Sequence, residues 1–164
     1  MIAIDGRSGS GKTSLAARLR SALGAPAVSL EDLYGGWDGL ERGIDLLVSE
    51  VLEPLSAGRA ALVPRYNWVT AAWEAPLVLA PPEVLIVEGV GAGARRAAAY
   101  ASLLVWMESA ASVRKKRALD RDGATVAPYW DTWAAQEAAM LARERTSDRA
   151  DIVLDSTTGH ILRG

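Results

Sequence analysis

The chain has 164 residues, half of them apolar, and a formal net charge of −2. This length favours one domain with a substantial core, and the balanced charge gives no basic field for wrapping nucleic acid. The sequence contains no cysteine, which excludes disulfides and thiolate metal sites. No apolar run reaches the ~20 residues of a membrane span, and no stretch resembles a secretory leader. We therefore expect a cytoplasmic protein without membrane or nucleic-acid partners.

The beginning of the chain carries its most specific pattern. Residues 2–4 form a short apolar run typical of a buried strand, and residues 14–23 have leucines at helical spacing. Between them, residues 6–13 read GRSGSGKT, which has two glycines five positions apart followed by Lys and Thr. This is the phosphate-loop pattern in its required strand–loop–helix context. The predicted phosphate-binding residues are Gly6, Ser8, Gly9, Ser10, Gly11, Lys12, Thr13 and Ser14.

The residue types of this loop suit a magnesium-bound nucleoside triphosphate. Glycines let successive backbone N–H groups turn toward phosphate oxygens, and the helix N-terminus adds partial positive charge. Lys12 is predicted to neutralise the β- and γ-phosphates, and the Thr13 hydroxyl to ligate Mg²⁺. Glu88 ends the apolar run 84–87 and is predicted to be the second metal-site residue. The expected cofactors are ATP and Mg²⁺.

The remaining pattern alternates strands and helices. Strands are predicted at 27–30, 60–63, 77–79, 84–87, 103–106 and 151–155, and helices at 40–55, 110–122 and from 128 to about 145. Residues 64–68 are predicted to form a turn or loop. Together these elements predict an α/β fold of three layers, with a five-stranded, mostly parallel sheet between helices. We interpret residues 1–164 as a single domain with a small lid around 114–128.

Two further groups of side chains are candidates for chemistry. Glu31 and Asp32 follow a predicted strand, and the carboxyl ends of strands in α/β sheets are where ligands bind. Arg114, Arg117 and Arg121 are spaced by three and four, so they lie on one helix face that could close over phosphates. Aromatic and polar side chains in the two nearby loops are candidates for binding a second substrate: Tyr34, Trp37, Asp38, Tyr66, Asn67 and Trp68.

In this order the motifs resemble the uridine kinase-like nucleoside kinases, within the phosphate-loop kinases that include pantothenate kinase and phosphoribulokinase. Residues 31–34 resemble the family's Asp-x-aromatic-aromatic motif, and residues 64–68 its Tyr-Asp-Phe segment. Residues 87–89 are similar to its Glu-Gly strand end, and residues 150–153 to its Ala-Asp strand. Arg114, Arg117, Arg121 and Asp122 match its lid helix.

The chain departs from the family at three places. Glu31 replaces the family's catalytic Asp, so the base is either Glu31 or Asp32. Asn67 stands where the family has Asp. There is also little room between Asp38 and Leu40 for the family's substrate-binding hairpin.

The resemblance implies a kinase that transfers the γ-phosphoryl group of ATP to a hydroxyl of a small molecule, such as a nucleoside. Lys12, Glu31 or Asp32, Arg117 and Arg121 would act in catalysis, and Arg114 would contact the nucleotide. The alternative is a nucleotide-binding protein or NTPase of the same fold without nucleoside kinase activity. A GTPase is disfavoured because the sequence has no Asn-Lys-x-Asp segment. ATP or GTP preference and a homodimer are left open.

Overall fold

A six-stranded sheet forms the centre of the protein. The computed structural model describes residues 1–164, apart from the side chains of residues 122 and 124. The strands are β1 (Ile2–Asp5), β2 (Ala27–Ser29), β3 (Ala61–Asn67), β4 (Ala72–Leu79), β5 (Ile86–Glu88), β6 (Leu103–Glu108), β7 (Ile152–Asp155) and β8 (Ile161–Arg163). The sheet order is β2-β5-β1-β6-β7-β8. The first five of these strands are parallel, and β8 runs antiparallel to β7.

The sixth strand corrects the prediction of five. After β7 the chain turns back, with the Gly159 N–H donating to the Asp155 carbonyl at 2.7 Å and the Thr157 N–H to the Asp155 carboxylate at 2.8 Å. The three residues of β8 then pair with β7. A strand of three exposed residues is too short to show a sequence period, which is why it was not predicted.

Helices cover both faces of the sheet. They are α1 (Lys12–Leu23), α2 (Leu40–Leu46), α3 (Glu53–Ser56), α4 (Arg95–Ala98), α5 (Ala111–Asp122), α6 (Trp130–Glu144) and α7 (Thr146–Arg149). A π-helical segment, Leu47–Leu52, joins α2 to α3, and short 3₁₀ turns span Leu30–Asp32, Gly123–Thr125 and Ala127–Tyr129. Within the described part of the chain, no helix is long and apolar enough to cross a bilayer.

The central strands β1, β5 and β6 are buried on both faces, which explains their continuous apolar runs. Ile4 and Val105 pack with Ala16 of α1 on one face. Val87 packs on the opposite face with Ile44 of α2 and Met140 of α6. This arrangement confirms the predicted three-layer α/β architecture.

A two-stranded antiparallel hairpin of β3 and β4 lies outside the main sheet. The prediction of a loop at 64–68 was wrong, because most of this segment belongs to β3. Pro64 coincides with a register irregularity between Val63 and Arg65, where a strand tolerates the missing N–H. The chain therefore does carry a hairpin, placed well after the Asp38–Leu40 region in which there was little room for one.

Candidate active site

Three neighbouring parallel strands bring their carboxyl ends together at one edge of the sheet. Ser29 at the end of β2 pairs in register with Glu88 at the end of β5, and Glu88 pairs with Ile4 of β1. The loop formed by residues 6–13, here called the phosphate loop, leaves β1 at the same edge. Such an edge is the usual ligand site of an open α/β sheet.

Buried contacts below the phosphate loop hold its shape. The Asp5 carboxylate is fully buried and accepts hydrogen bonds from the N–H groups of Gly6 at 2.7 Å, Gly91 at 3.0 Å and Gly93 at 2.9 Å. Burial raises the pKa of Asp5, and these three bonds oppose the shift. Asp5 therefore ties the start of the loop to the segment after β5, a role that the sequence pattern did not reveal.

Glycine is required where the loop meets α5. Gly9 has a φ of 77°, in the left-handed region, and a side chain there would overlap the backbone of Arg114. The Arg114 side chain contacts the loop as well, since its Nη1 lies 3.3 Å from the Ser8 carbonyl oxygen and its Nε 3.1 Å from that of Ser109. Arg114 therefore ties the phosphate loop to the start of α5, and its contact with nucleotide stays a prediction.

The polar groups of the loop are suited to an anion. Lys12 is 6% exposed, and its Nζ donates to the Arg7 carbonyl at 3.1 Å. The Ser10 hydroxyl is buried and has no hydrogen-bond partner among the described residues. Gly11 makes no side-chain cap for α1, and the first turn of α1 carries no acidic residue. The uncapped first-turn N–H groups, which include those of Thr13 and Ser14, are the groups that bind phosphate at helix N-termini.

Thr13 and Glu88 lie together, as the motif predicted for a metal site. The Glu88 carboxylate is 4% exposed and accepts from the Thr13 hydroxyl at 3.2 Å and from the Ser29 hydroxyl at 2.8 Å. Burial raises the pKa of Glu88, while the charge of Lys12 and the hydroxyl donors oppose the shift. Ser29 is an additional member of this cluster that the sequence reasoning missed.

This oxygen-rich cluster suits Mg²⁺ bound together with substrate phosphates better than it suits a metal ion whose ligands all come from the protein. The described residues contain no group of three or more His, Cys, Asp or Glu side chains placed to hold a metal. Magnesium, however, is commonly bound through one or two protein oxygens together with substrate phosphates and water. One carboxylate and one hydroxyl beside a phosphate loop meet that requirement.

A cavity of about 540 Å³ adjoins the phosphate loop. Its volume lies within the range of small-molecule sites. We call it the central cavity, and its lining joins the phosphate loop to α5, α6 and the loops after β2, β3 and β5. The lining residues are Ser8, Gly9, Glu31, Tyr34, Trp37, Trp68, Val90, Ala118, Arg121, Thr125, Val126, Trp130 and Trp133.

Of the two candidate acids, Glu31 lines the cavity and Asp32 is not among its lining residues. The Glu31 carboxylate forms an ion pair with Arg121 of α5, at 3.7 Å between Oε1 and Nη2. Burial and the neighbouring Glu31 charge raise the pKa of Asp32, with an opposing contribution from Arg65. The two adjacent carboxylates therefore have different surroundings.

The candidate substrate-binding residues divide into two groups. Tyr34, Trp37 and Trp68 line the cavity, and Tyr66 supports it from behind, with its ring 5.3 Å from that of Trp68. Asp38 is exposed and lies outside the lining.

Asn67 also lies outside the lining, because its side chain shapes the hairpin turn. Its Oδ1 accepts from the N–H groups of Val69 at 2.9 Å and Thr70 at 3.1 Å, and its Nδ2 donates to Glu74 at 2.7 Å. The expectation that Asn67 contacts substrate is therefore not supported.

The arginines of α5 contact different parts of the protein. Arg121 lines the cavity, whereas Arg117 turns toward the segment after β7 and donates to the Ser156 hydroxyl at 2.9 Å. The two residues are four positions apart, so their side chains leave the helix in directions that differ by about 40° around its axis. The side chain of Asp122 lies outside the described residues.

Helix α6 contributes groups that the sequence analysis did not assign to the site. Glu137 is 1% exposed, and its Oε1 accepts from the Ser8 N–H at 2.8 Å and from Trp133 Nε1 at 2.9 Å. Trp133 Nε1 is also 2.9 Å from the Ser8 hydroxyl. The helical spacing of Trp133 and Glu137 was visible in the sequence, but their contact with Ser8 of the phosphate loop was not.

The comparisons with known proteins agree with this architecture. No family model matches the sequence, and no curated protein sequence matches it. Among solved structures, the chain is similar to a possible uridine kinase from Bacillus stearothermophilus, with 20% identity, a TM-score of 0.67, and coverage of 93% of this chain and 86% of that one.

Two other solved structures are similar over most of their length. A candidate fructose transport system kinase from Silicibacter sp. TM1040 has 20% identity and a TM-score of 0.53, covering 91% of this chain and 84% of that one. The YGR205w protein has 10% identity and a TM-score of 0.55, covering 97% and 86%. The chain therefore has the fold of the phosphate-loop kinases, among which uridine kinase-like proteins are found.

Proposed function

We propose that this protein is a Mg·ATP-dependent kinase that transfers the γ-phosphoryl group to a hydroxyl of a small molecule. The observation that carries the proposal is the position of Glu31. Its carboxylate lines a cavity that also contains Ser8 and Gly9 of the phosphate loop. A proton acceptor and a phosphate site therefore border the same space, as transfer to a hydroxyl requires.

The residues of the loop would bind the triphosphate. The first-turn N–H groups of α1 and the Lys12 ammonium would contact phosphate oxygens, and Thr13 with Glu88 would offer oxygens to magnesium. When bound, Mg·ATP supplies the electrophilic phosphoryl group with part of its charge neutralised. The unpartnered Ser10 hydroxyl and the uncapped start of α1 support this assignment.

Glu31 would accept the proton of the acceptor hydroxyl as its oxygen forms a bond to the γ-phosphorus. The bond from that phosphorus to the bridging oxygen breaks, and ADP leaves. Arg121 is paired with Glu31 and borders the same cavity, so its guanidinium is in position to stabilise the charge on the transferring group.

ADP formation with and without candidate acceptors tests the proposal. We expect ADP release to rise when an accepted alcohol is present, with one phosphorylated product per ADP. A protein that binds ATP but shows no acceptor-dependent ADP release across nucleosides, sugars, amino alcohols and aromatic alcohols would support the alternative of nucleotide binding without kinase activity.

A further inference from the structure

Most residues that line the central cavity are aromatic or aliphatic, and the phosphate loop contributes two of the others. Ser8 and Gly9 belong to that loop, and Glu31 is paired with Arg121. Thr125, which follows α5 near the end of the predicted lid segment, is the other polar lining residue outside the aromatic set. The rest of the lining consists of Val90, Ala118, Val126 and five aromatic side chains.

The polar atoms of three aromatic lining residues already have partners inside the protein. Tyr34 donates its hydroxyl to the Val90 carbonyl at 2.9 Å, and Trp68 Nε1 donates to the Glu31 carbonyl at 2.9 Å. Trp133 Nε1 is 2.9 Å from both Ser8 and Glu137. These side chains therefore offer a ligand their carbon surfaces unless an internal hydrogen bond is broken.

Side-chain amides are the usual readers of a nucleobase edge, and the sequence contains one Asn and one Gln. Asn67 is engaged in the hairpin turn through both of its polar atoms. Gln136 donates its Nε2 to the Trp37 carbonyl at 2.7 Å and lies outside the cavity lining. Neither amide contacts the space beside Glu31.

The aromatic walls are also fixed relative to one another. The Trp37 ring lies 4.9 Å from Trp68 and stacks on Tyr129 at 4.8 Å with an interplanar angle of 11°. Tyr34 lies 4.9 Å from Trp133. Rings at these separations favour offset-stacked or edge-to-face packing with a further ring, and walls ordered in advance reduce the entropy lost on binding.

We propose that the phosphoryl acceptor is an aromatic alcohol, with its ring among the five aromatic lining residues and its hydroxyl beside Glu31. The inference rests on the proposed kinase function and specifies its substrate class. A nucleoside or sugar would bury several polar groups in this part of the cavity without partners. Each unpaired buried group costs binding free energy, so we expect such acceptors to bind at least about tenfold more weakly.

Binding of the acceptor can be measured separately from catalysis. The probes are 2-phenylethanol and 2-(1-naphthyl)ethanol, compared with uridine and ribose, using ligand-observed NMR without nucleotide. Phosphorylated product is then measured by ³¹P NMR with Mg·ATP. We expect the aromatic alcohols to bind and to have a kcat/KM at least about tenfold above uridine and ribose.

Alanine variants of tryptophans inside and outside the cavity lining locate the binding site. Trp68→Ala and Trp130→Ala each remove a ring from the cavity and should weaken binding of the naphthyl probe about tenfold. Trp73→Ala is the control, because Trp73 is 47% exposed and lies outside the lining. Thermal unfolding checks that each variant is folded. If Trp68→Ala does not fold, Trp130→Ala replaces it in the binding test.

The possible outcomes separate the two proposals. Binding of aromatic alcohols that depends on Trp68 or Trp130, without phosphoryl transfer, would uphold the ligand class and contradict the kinase function. Higher kcat/KM for uridine or ribose would overturn the ligand class and uphold the kinase. Binding of ATP without any binding of the aromatic probes, or equal loss in Trp73→Ala, would also overturn the ligand class.

Discussion

The Thr13 hydroxyl donates a hydrogen bond of 3.2 Å to the Glu88 carboxylate, across 75 residues of sequence. This contact joins the start of α1 to the end of β5 and places a nearly buried acid beside the phosphate loop. In such a buried position the ionised form of the carboxylate is energetically unfavourable when no cation is bound. It becomes favourable when a cation shares the site, which is the expected situation with magnesium.

We predict that Glu88→Gln changes the pH dependence of stability. Because burial raises the folded-state pKa of Glu88 above its ordinary value of 4.5, the folded protein binds this proton more tightly than the unfolded chain does. The stabilising contribution is therefore fully present below pH 4.5, and it is lost as the pH rises through the folded pKa. Urea unfolding from pH 4.5 to about pH 8 measures the effect.

The free energy of unfolding should fall with rising pH less steeply in Glu88→Gln than in the wild type. Glu83→Gln is the matched control, since Glu83 precedes β5 and is exposed, and it should retain the wild-type slope. A wild-type slope in Glu88→Gln would contradict the assignment. The variant should also lose the magnesium dependence of ATP binding.

The two adjacent acids are predicted to differ in their effect on rate. Glu31 lines the central cavity and Asp32 does not. Glu31→Gln should lower kcat by roughly 10²–10⁴-fold, the range for loss of a general base, whereas Asp32→Asn should change kcat less than about tenfold. Steady-state kinetics with an accepted alcohol checks this. Full rate in Glu31→Gln together with a large loss in Asp32→Asn would assign the base to Asp32.

Arg121 and Arg117 should also separate in kinetics. We propose that Arg121 contacts the transferring group, so Arg121→Ala should lower kcat by about 10³-fold or more, as for arginines that stabilise phosphoryl transfer. Arg117→Ala removes a contact to Ser156 and should change kcat much less. Equal losses in the two variants would show that the lid closes differently when nucleotide is bound.

Gly9→Ala is predicted to disrupt the phosphate loop through its contact with α5. Gly9 and Gly58 both have left-handed backbone, with φ of 77° and 71°, so alanine at either position should cost about 1–2 kcal/mol. A side chain at Gly9 would overlap the Arg114 backbone, whereas one at Gly58 would have nothing within 4 Å. Gly9→Ala should therefore destabilise the protein more than Gly58→Ala in denaturant unfolding and weaken ATP binding. Similar losses in both variants would mean that the loop and α5 separate easily.

The parts of the site that follow a strand or fill a motif were predictable from the sequence. Glu88 could be placed because an acid ending a buried apolar run must lie at the sheet edge. Lys12 and Thr13 followed from a motif whose spacing is fixed by the turn around phosphate. In both cases the predicted role follows from residues that are close together in the sequence.

The contacts that depend on distant segments were not predictable. Glu137 and Ser8 are 129 residues apart, and nothing in a helical pattern of apolar and charged residues indicates that partner. The contacts of Asn67 within the hairpin turn were not predictable, because a side chain that closes a turn and one that binds substrate look the same in sequence. Pro64 likewise suggested a loop, although it lies at an irregularity within β3.

Lys12 provides the most direct test of the central claim, that the phosphate loop binds a nucleoside triphosphate. The measurement is calorimetric titration of ATP with magnesium into wild type, Lys12→Ala and Lys116→Ala, the last being an exposed lysine paired with Asp120. We predict saturable binding to wild type and Lys116→Ala, and at least about tenfold weaker binding to Lys12→Ala, because a charge-assisted contact to phosphate is lost. Absence of ATP binding to folded wild-type protein, or unchanged affinity in Lys12→Ala, would contradict the account.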